Sequence, residues 1–255
     1  MYRDHTVAVV MPIHNEERQI EKAIGRVPHF VDLIFAVNDG STDDTSRALS
    51  RITDSRLVLL EHDRNRGVGA ATKTGYIHSL QVGVDLIAVM DGDGQMDGSD
   101  LSALLDRALA GADYVKGNRF LKSDSIDCMP RIRYFGNIFF SWLTRKAALF
   151  DHYIDAHCGY TVIRRRALAR LSLNTLYDRY GFPTEMFFEA CREGLVIENV
   201  PVRTIYGDEI SGINPVTTVP AIFYLIIRSY LRRLFTMSET DLQNGPERIE
   251  YKFEA

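Results

Sequence analysis

Short apolar runs alternate with stretches of helical periodicity along the first ninety residues. Residues 6–13 (TVAVVMPI) form a Val-rich run of strand length, and Ile20, Ile24 and Val27 then recur at helical spacing within residues 17–27. A second strand is predicted over 31–37, ending in Asn38-Asp39-Gly40, after which Ser41-Thr42-Asp43-Asp44 supplies capping chemistry for another helix. A third strand is predicted over 57–61, a helix ending near Val82, and a fourth strand over 86–90, bounded by Asp91-Gly92-Asp93-Gly94. Strands alternating with helices in this way predict an α/β fold with a mostly parallel, doubly wound central sheet.

The second half is less regular. A helix is predicted over 101–110, a strand over 114–117, a long apolar helix over 134–149 and a strand over 196–202. No repeat or flexible linker divides the chain, so residues 1–215 are expected to form one domain with a C-terminal elaboration. The apolar run 216–227 is interrupted by Pro220 and ends at Arg228, too short to cross a bilayer alone. With Arg232 and Arg233 beyond it, residues 216–235 read equally as an interfacial amphipathic helix or as a helix packed on the core. Residues 236–255, with five acids and two bases and little periodicity, are expected to be a mobile acidic tail.

In parallel sheets, ligands bind beyond the carboxyl ends of the strands. The polar clusters fall at those ends: Pro12 to Glu16 after the first strand, Asn38 to Ser41 after the second and Asp91 to Gln95 after the fourth. Three separate pieces of sequence thus converge on one rim.

Composition sets the class and charge distribution adds a partner. The chain has 255 residues, 45% hydrophobic and 25% charged, with a formal net charge of -4, which suits a globular protein and offers no whole-protein field for nucleic acid. Residues 119–170, however, hold ten Lys or Arg against four Asp, a basic segment suited to an anion, with a solvated basic helix face as the alternative and the favoured reading for Arg164 to Arg166. Three widely spaced cysteines, Cys128, Cys158 and Cys191, match neither a zinc motif nor a disulfide framework, and together with the absence of a leader pattern they predict a cytoplasmic protein.

Asp91 and Asp93, two apart after a strand, can point the same way and suit a hard divalent cation, which Mg²⁺ sites commonly hold with one or two carboxylates plus substrate phosphates. Gln95 adds an oxygen. An EF-hand is excluded by count, because a loop started at Asp91 has Met96 at position six and one started at Asp93 has Leu104 at position twelve. Glu16 and Asp39 are strand-end acids able to accept hydrogen bonds from ribose or base groups. Gly67-Val68-Gly69-Ala70-Ala71-Thr72 lacks the third glycine of the dinucleotide fingerprint and no Walker A sequence exists, so another kind of nucleotide site is expected.

Val-Val-Met-Pro-Ile-His-Asn-Glu-Glu, Val-Asn-Asp-Gly-Ser-Thr-Asp-Asp-Thr, Asn65-x-Gly67-x-Gly69-x-Ala71 and Met-Asp-Gly-Asp-Gly-Gln, in that order, resemble glycosyltransferase family 2 over residues 7 to about 210. Gly117-Asn118-Arg119-Phe120 and Asp155-x-x-Cys158-Gly159-Tyr160 are most similar to its dolichyl-phosphate mannosyltransferase and polyprenyl-phosphate glycosyltransferase group. The resemblance implies a GT-A fold, a GDP- or UDP-hexose donor, Mg²⁺ or Mn²⁺, inverting transfer to a polyprenyl phosphate, and peripheral attachment to the cytosolic membrane face or to a membrane partner protein.

The same resemblance implies roles for individual residues. Pro12, His14 and Glu16 would line the nucleotide pocket, Asp39 would hold the base, and Asp91, Asp93 and Gln95 would hold the metal and diphosphate. Arg119, with Arg131 or Arg133, would bind the acceptor phosphate through the planar fork of a guanidinium. Arg203 either clamps the diphosphate or ends a strand. Glu185 lies near where many members place a catalytic acid and is the candidate base for a hydroxyl acceptor, with a helix-start acid as the alternative. His14 and Cys158 depart from the group, which usually has an aromatic residue and a serine there. Two other readings stand beside this one: a soluble transferase acting on a saccharide or small-molecule hydroxyl, and a non-catalytic nucleotide-sugar binding subunit.

Overall fold

A computed structural model of the chain describes residues 1–122, 126, 129–205 and 215–236, without the side chains of 132, 133, 215–217 and 234–236. Seven strands make one sheet: β1 (Val7–Ile13), β2 (Leu33–Asp39), β3 (Leu57–His62), β4 (Leu86–Val89), β5 (Tyr114–Asn118), β6 (Thr161–Arg164) and β7 (Ile197–Pro201). Their spatial order is β3-β2-β1-β4-β6-β5-β7. β1 pairs in parallel with β2 and β4, β2 with β3, and β5 with β7; β6 alone runs antiparallel, between β4 and β5. Since β6 opposes both neighbours, β4 and β5 point the same way. Their carboxyl ends therefore open on one rim.

The helices are α1 (Ile20–Gly25), α2 (Thr45–Arg51), α3 (Val68–Val82), α4 (Leu101–Leu109), α5 (Arg131–Ala148), α6 (Arg165–Leu168), α7 (Phe182–Arg192) and α8 (Pro215–Thr236). Each face of the sheet buries its own core, and β1 shows the period-two alternation that separates them. Val7, Val9 and Met11 join residues of α1, α2 and α4, such as Ile20, Leu49 and Leu104. Ala8 and Val10 join Tyr76 of α3, Leu168 of α6, Met186 and Phe187 of α7, and Ile226 of α8. This is the expected mostly parallel, helix-covered sheet.

Two sequence expectations are refined. β6 was absent from the predicted strands, because its four residues end in the arginines that open α6. Pro220 interrupts the apolar run in sequence yet lies inside a continuous 22-residue helix. It falls early in that helix, where its missing N–H removes one i to i−4 bond. Among the described residues, no helix is long and apolar enough to cross a membrane. The predicted acidic tail lies outside the described residues, apart from Thr236 at the end of α8.

Close approach of α3 to β1 depends on Gly75, where an added Cβ would meet Val10 Cγ1 at 2.3 Å. Gly75→Ala should lower unfolding free energy by about 1–3 kcal/mol through overpacking. Val10→Ala, destabilising alone, should cost less in the Gly75→Ala background, and urea unfolding of the four species measures this coupling.

Candidate active site

The rim is built by loops that tie the strand ends together. Asn15 adopts a left-handed backbone (φ 58°) directly after β1, and its side chain accepts the Thr42 N–H at 2.8 Å while its own N–H donates to Ser41 Oγ at 3.0 Å. The Glu16 N–H donates to Thr45 Oγ1 at 2.8 Å. These cross-links fix the loop after β1 against the loop after β2, so that Glu16 faces the space above the sheet.

Asp39 organises the rim beyond β2 and β3. Its buried carboxylate accepts from His62 Nδ1 at 2.7 Å and from the N–H groups of Arg66 at 2.9 Å and Gly67 at 2.7 Å. A carboxylate has roughly four lone-pair positions, so three are spent on the chain itself. Its backbone carbonyl accepts from His14 Nδ1 at 2.9 Å. Gly67 reaches this position at φ 105°, and an added Cβ would come 2.4 Å from the Asp178 carbonyl. The base-holding role implied for Asp39 thus comes with a second one: it shapes the 62–67 loop.

The acids after β4 occupy the floor. Asp93 accepts the Gln95 N–H at 2.9 Å, and Arg26 of the loop after α1 donates to the Gly94 carbonyl, pinning the turn. Burial, then repulsion from Asp93 and Glu16, pushes the Asp91 carboxyl above the usual carboxylate range, with Arg119 offsetting part of this. Three acids crowd where one cation would relieve them. Among the described residues, no group of three or more His, Cys, Asp or Glu is arranged to hold an ion by itself. Two carboxylates completed by phosphate oxygens are the arrangement Mg²⁺ commonly takes, and Asp91 with Asp93 fit that arrangement.

Arg119 faces these acids from β5. Asn118 ends the strand and its side chain accepts the Phe120 N–H at 3.1 Å, turning the chain so that Arg119 enters the cleft. The guanidinium donates in bidentate fashion to Asp155, Nε to Oδ2 at 2.6 Å and Nη2 to Oδ1 at 3.0 Å. Asp155 is fully buried, and burial alone would raise its carboxyl, but Arg119 outweighs this and holds it below the usual range. Beyond Asp155 the chain returns past Gly159, whose added Cβ would lie 3.2 Å from Asp91 Oδ2. One ion pair therefore spaces the basic wall from the acidic floor.

The resulting cleft has a volume of about 880 Å³. It is lined by Pro12, His14, Glu16 and Asp39, by Asp91, Asp93 and Gln95, and by Arg119 and Arg203, so these candidates are brought together. Arg203 is also held through its backbone, its N–H donating to Asp100 Oδ2 at 2.5 Å. Arg131 is exposed at the start of α5 and does not line the cleft, and the side chain of Arg133 lies outside the described residues. Glu185 is also outside the cleft lining: it is buried on α7, accepting the Tyr177 N–H at 2.5 Å and a hydrogen bond from Arg228. A carboxylate so placed and paired does not face the cleft as a base or orienting group for an acceptor hydroxyl would, and sits as the helix-start acid of the alternative reading.

Comparison with known proteins now assigns the family, since the profile described as Glycosyl transferase family 2 matches residues 8–172. The chain belongs to glycosyl transferase family 2. This glycosyltransferase is 27% identical over 222 residues to the UDP-N-acetylglucosamine–dolichyl-phosphate N-acetylglucosaminyltransferase of Methanococcus voltae, covering 80% of this chain and 88% of that one. It is also 27% identical to the polyprenol monophosphomannose synthase of Mycolicibacterium smegmatis, over 81% of each chain. Among solved structures it is similar to glucosyl-3-phosphoglycerate synthase of Mycobacterium tuberculosis in complex with UDP, with a TM-score of 0.64 at 18% identity over 92% of this chain and 82% of that one. That likeness supports the GT-A fold of the transferase.

Sequence reasoning missed the supports of this site. Lys116 is fully buried on β5, its ammonium donating to the Cys158 carbonyl at 2.9 Å, and burial pulls it down to about 8. His157 lines the cleft and shares a 3.1 Å hydrogen bond with Thr184 Oγ1; burial, against the attraction of Asp155, pulls it down to about 4 and leaves it neutral at pH 7. Neither belongs to a spacing pattern that sequence can flag. Asp155, by contrast, belongs to the Asp155-x-x-Cys158-Gly159-Tyr160 motif, but its pairing with Arg119, 36 residues earlier, is visible only in the fold.

Asp155→Asn should cost about 3–5 kcal/mol at neutral pH, because Arg119 loses its buried partner. The Asp155 carboxyl is depressed in the fold, so its stabilisation is present above the unfolded value of ~3.9 and is lost as pH falls through the folded value. Chemical denaturation across pH 2–7 (roughly the span of that titration) should show an acid loss in the parent that is smaller in the variant.

Proposed function

We propose that this glycosyltransferase moves a hexose, mannose or glucose, from a GDP- or UDP-sugar to the phosphate of a polyprenyl or dolichyl phosphate, with inversion, at the cytosolic face of a membrane. The observation that carries the reading is the opposition within one cleft of Asp91 and Asp93 to a guanidinium already held in line by Asp155. The acids suit the cation and diphosphate of a donor, and Arg119 suits an acceptor phosphate. Relatives named for transfer to dolichyl phosphate and for polyprenol monophosphomannose synthesis support the choice of acceptor.

The surface of α5 and α8 supports a lipid acceptor, and it adjoins the cleft where Phe140 of α5 meets the cleft-lining His157, ring centroids 6.0 Å apart. On α5, Phe135, Phe139 and Trp142 are exposed at i, i+4 and i+7, with Arg131 and Lys146 exposed at the two ends of the same stripe. On α8, Val219, Phe223, Tyr224, Ile227, Tyr230 and Leu231 form an exposed apolar face bordered by Arg228 and Arg232. Phe223 bridges the two helices, with ring centroids 6.4 Å from Phe139 and 5.0 Å from Phe140. Aromatic faces edged by cations are the composition of helices that lie in a membrane interface.

Chemically, an oxygen of the acceptor phosphate attacks the anomeric carbon as the bond from that carbon to the diphosphate breaks, its electron pair leaving on the nucleoside diphosphate. A phosphate monoester with a second pKa of about 6 is already anionic at neutral pH and needs no general base. Arg119 binds and orients that phosphate, while Glu16 and the Asp39-shaped loop seat the nucleoside. Asp91, Asp93 and Gln95 would hold Mg²⁺ or Mn²⁺, which supplies neutralisation of the charge growing on the diphosphate.

The test incubates the full chain with Mn²⁺ or Mg²⁺, a panel of nucleotide sugars and vesicles with or without polyprenyl phosphate. A sugar-labelled, solvent-extractable lipid should form only when polyprenyl phosphate is present, and Asp93→Ala should lower its rate by about 100-fold or more. Undiminished transfer by Asp93→Ala, or labelling only of water-soluble acceptors, would contradict the reading.

A further inference from the structure

Glu185 is a buried acid that the transfer chemistry above does not use, and its two oxygens face two different parts of the protein. One accepts from Arg228 Nη2 on α8. The other accepts from the backbone N–H of Tyr177, at 2.5 Å. Tyr177 begins the loop that turns into α7, and two residues of that loop, Arg179 and Tyr180, line the donor cleft. The carboxylate is thus bonded both to α8 and to this loop.

The loop is fastened at its other side to the nucleoside half of the site. The Asp178 carbonyl accepts the Ala70 N–H at 3.0 Å, the Asp178 carboxylate pairs with Lys73 at 2.5 Å, and Lys73 also donates to the Leu176 carbonyl at 2.9 Å. Added Cβ atoms at Gly67 and Gly69 would lie 2.4 Å from the Asp178 carbonyl and 2.3 Å from the Tyr177 carbonyl. On the side of α8, an added Cβ at Gly181 would lie 2.4 Å from Leu225 Cδ1. The loop is therefore clamped between the start of α3, which also carries the Asp39 contact at Gly67, and α8.

We propose that Glu185 and Arg228 are a positioning pair that fixes the Tyr177–Gly181 wall of the donor cleft to α8, so that seating of α8 sets the shape of the donor site. This deepens the reading of α8 as an interfacial helix and rests on it for the link to lipid. A charged pair suits the task, because a buried carboxylate satisfied by a backbone N–H and a guanidinium holds both in fixed directions, and losing either partner leaves the other unpaired. Arg228 Nε is itself buried without a hydrogen-bond partner, so the guanidinium is held in the protein by Glu185 and stacks over the Tyr224 ring 6.0 Å from its centroid.

The experiment uses the full chain with Glu185→Gln, Arg228→Met, Arg228→Lys and the double variant Glu185→Gln with Arg228→Met. Hydrogen exchange of residues 177–181 is followed in each, together with UDP and GDP affinity in Mn²⁺. Glu185→Gln and Arg228→Met should each speed exchange in this loop by roughly tenfold relative to the sheet amides, and the double variant should do no more than the stronger single one. Arg228→Lys should restore part of the protection. In transfer assays the donor KM should rise by more than kcat falls. Because Arg228 is partly exposed, its variants report even if Glu185→Gln does not fold.

Vesicles of equal parts phosphatidylcholine and phosphatidylglycerol should slow loop exchange further in the parent protein and not in Arg228→Met. If vesicles do not bind at all, the interfacial reading fails while exchange without vesicles still tests the pair. Unchanged loop exchange in both single variants would overturn the proposal. So would a kcat loss of about 10²–10⁴-fold for Glu185→Gln with donor KM and exchange unaltered, since that is the signature of a general base.

Discussion

The site depends first on the Arg119–Asp155 ion pair. A bare carboxylate at zero exposure would be expensive, and the bidentate guanidinium is what allows Asp155 to stay charged there. In exchange, Asp155 holds Arg119 in a single direction at the end of β5 and anchors the chain that returns past Gly159 to the side of Asp91. Without that anchor, neither the position of the cation nor its separation from the acids would be fixed. The pair thus converts a topological fact, that β4 and β5 end on the same rim, into a chemical one.

On that frame the cleft sorts opposite charges. Glu16, Asp91 and Asp93 crowd one side, so that Asp91 cannot ionise as readily as an ordinary carboxylate. A bound cation and diphosphate would resolve the crowding, and the two-carboxylate arrangement suits an ion that takes its remaining ligands from phosphate. Asp39 does related work further along the rim, spending most of its acceptor capacity on His62, Arg66 and Gly67. The Asp39 end of the rim is therefore preorganised by the protein's own hydrogen bonds, while the acids after β4 are left crowded together.

The first ninety residues were legible because strand-length apolar runs, helical spacing and polar strand ends all agreed, and β1 to β4 fall where that pattern puts them. The acids were legible for the same reason, being close in sequence to the strands that carry them. What escaped reading is contact across long separations. β6 is four residues long and is defined by pairing with β4 and β5, not by its own pattern. Glu185 looked like a base from its place in the chain, yet the direction of its side chain is set by Tyr177 and by Arg228, 43 residues away. Lys116 offered no signal at all, because a lone lysine in a strand ordinarily faces water and here it is enclosed.

The most direct test of the account is a calorimetric titration of the full chain with UDP and with GDP, each with and without Mn²⁺. If the crowded acids are a seat for a cation bridged by a diphosphate, one nucleotide should bind at least about tenfold more tightly with the ion than without it. That gain should disappear in Asp91→Asn. Equal affinity with and without Mn²⁺ and Mg²⁺, unchanged in Asp91→Asn, would contradict it.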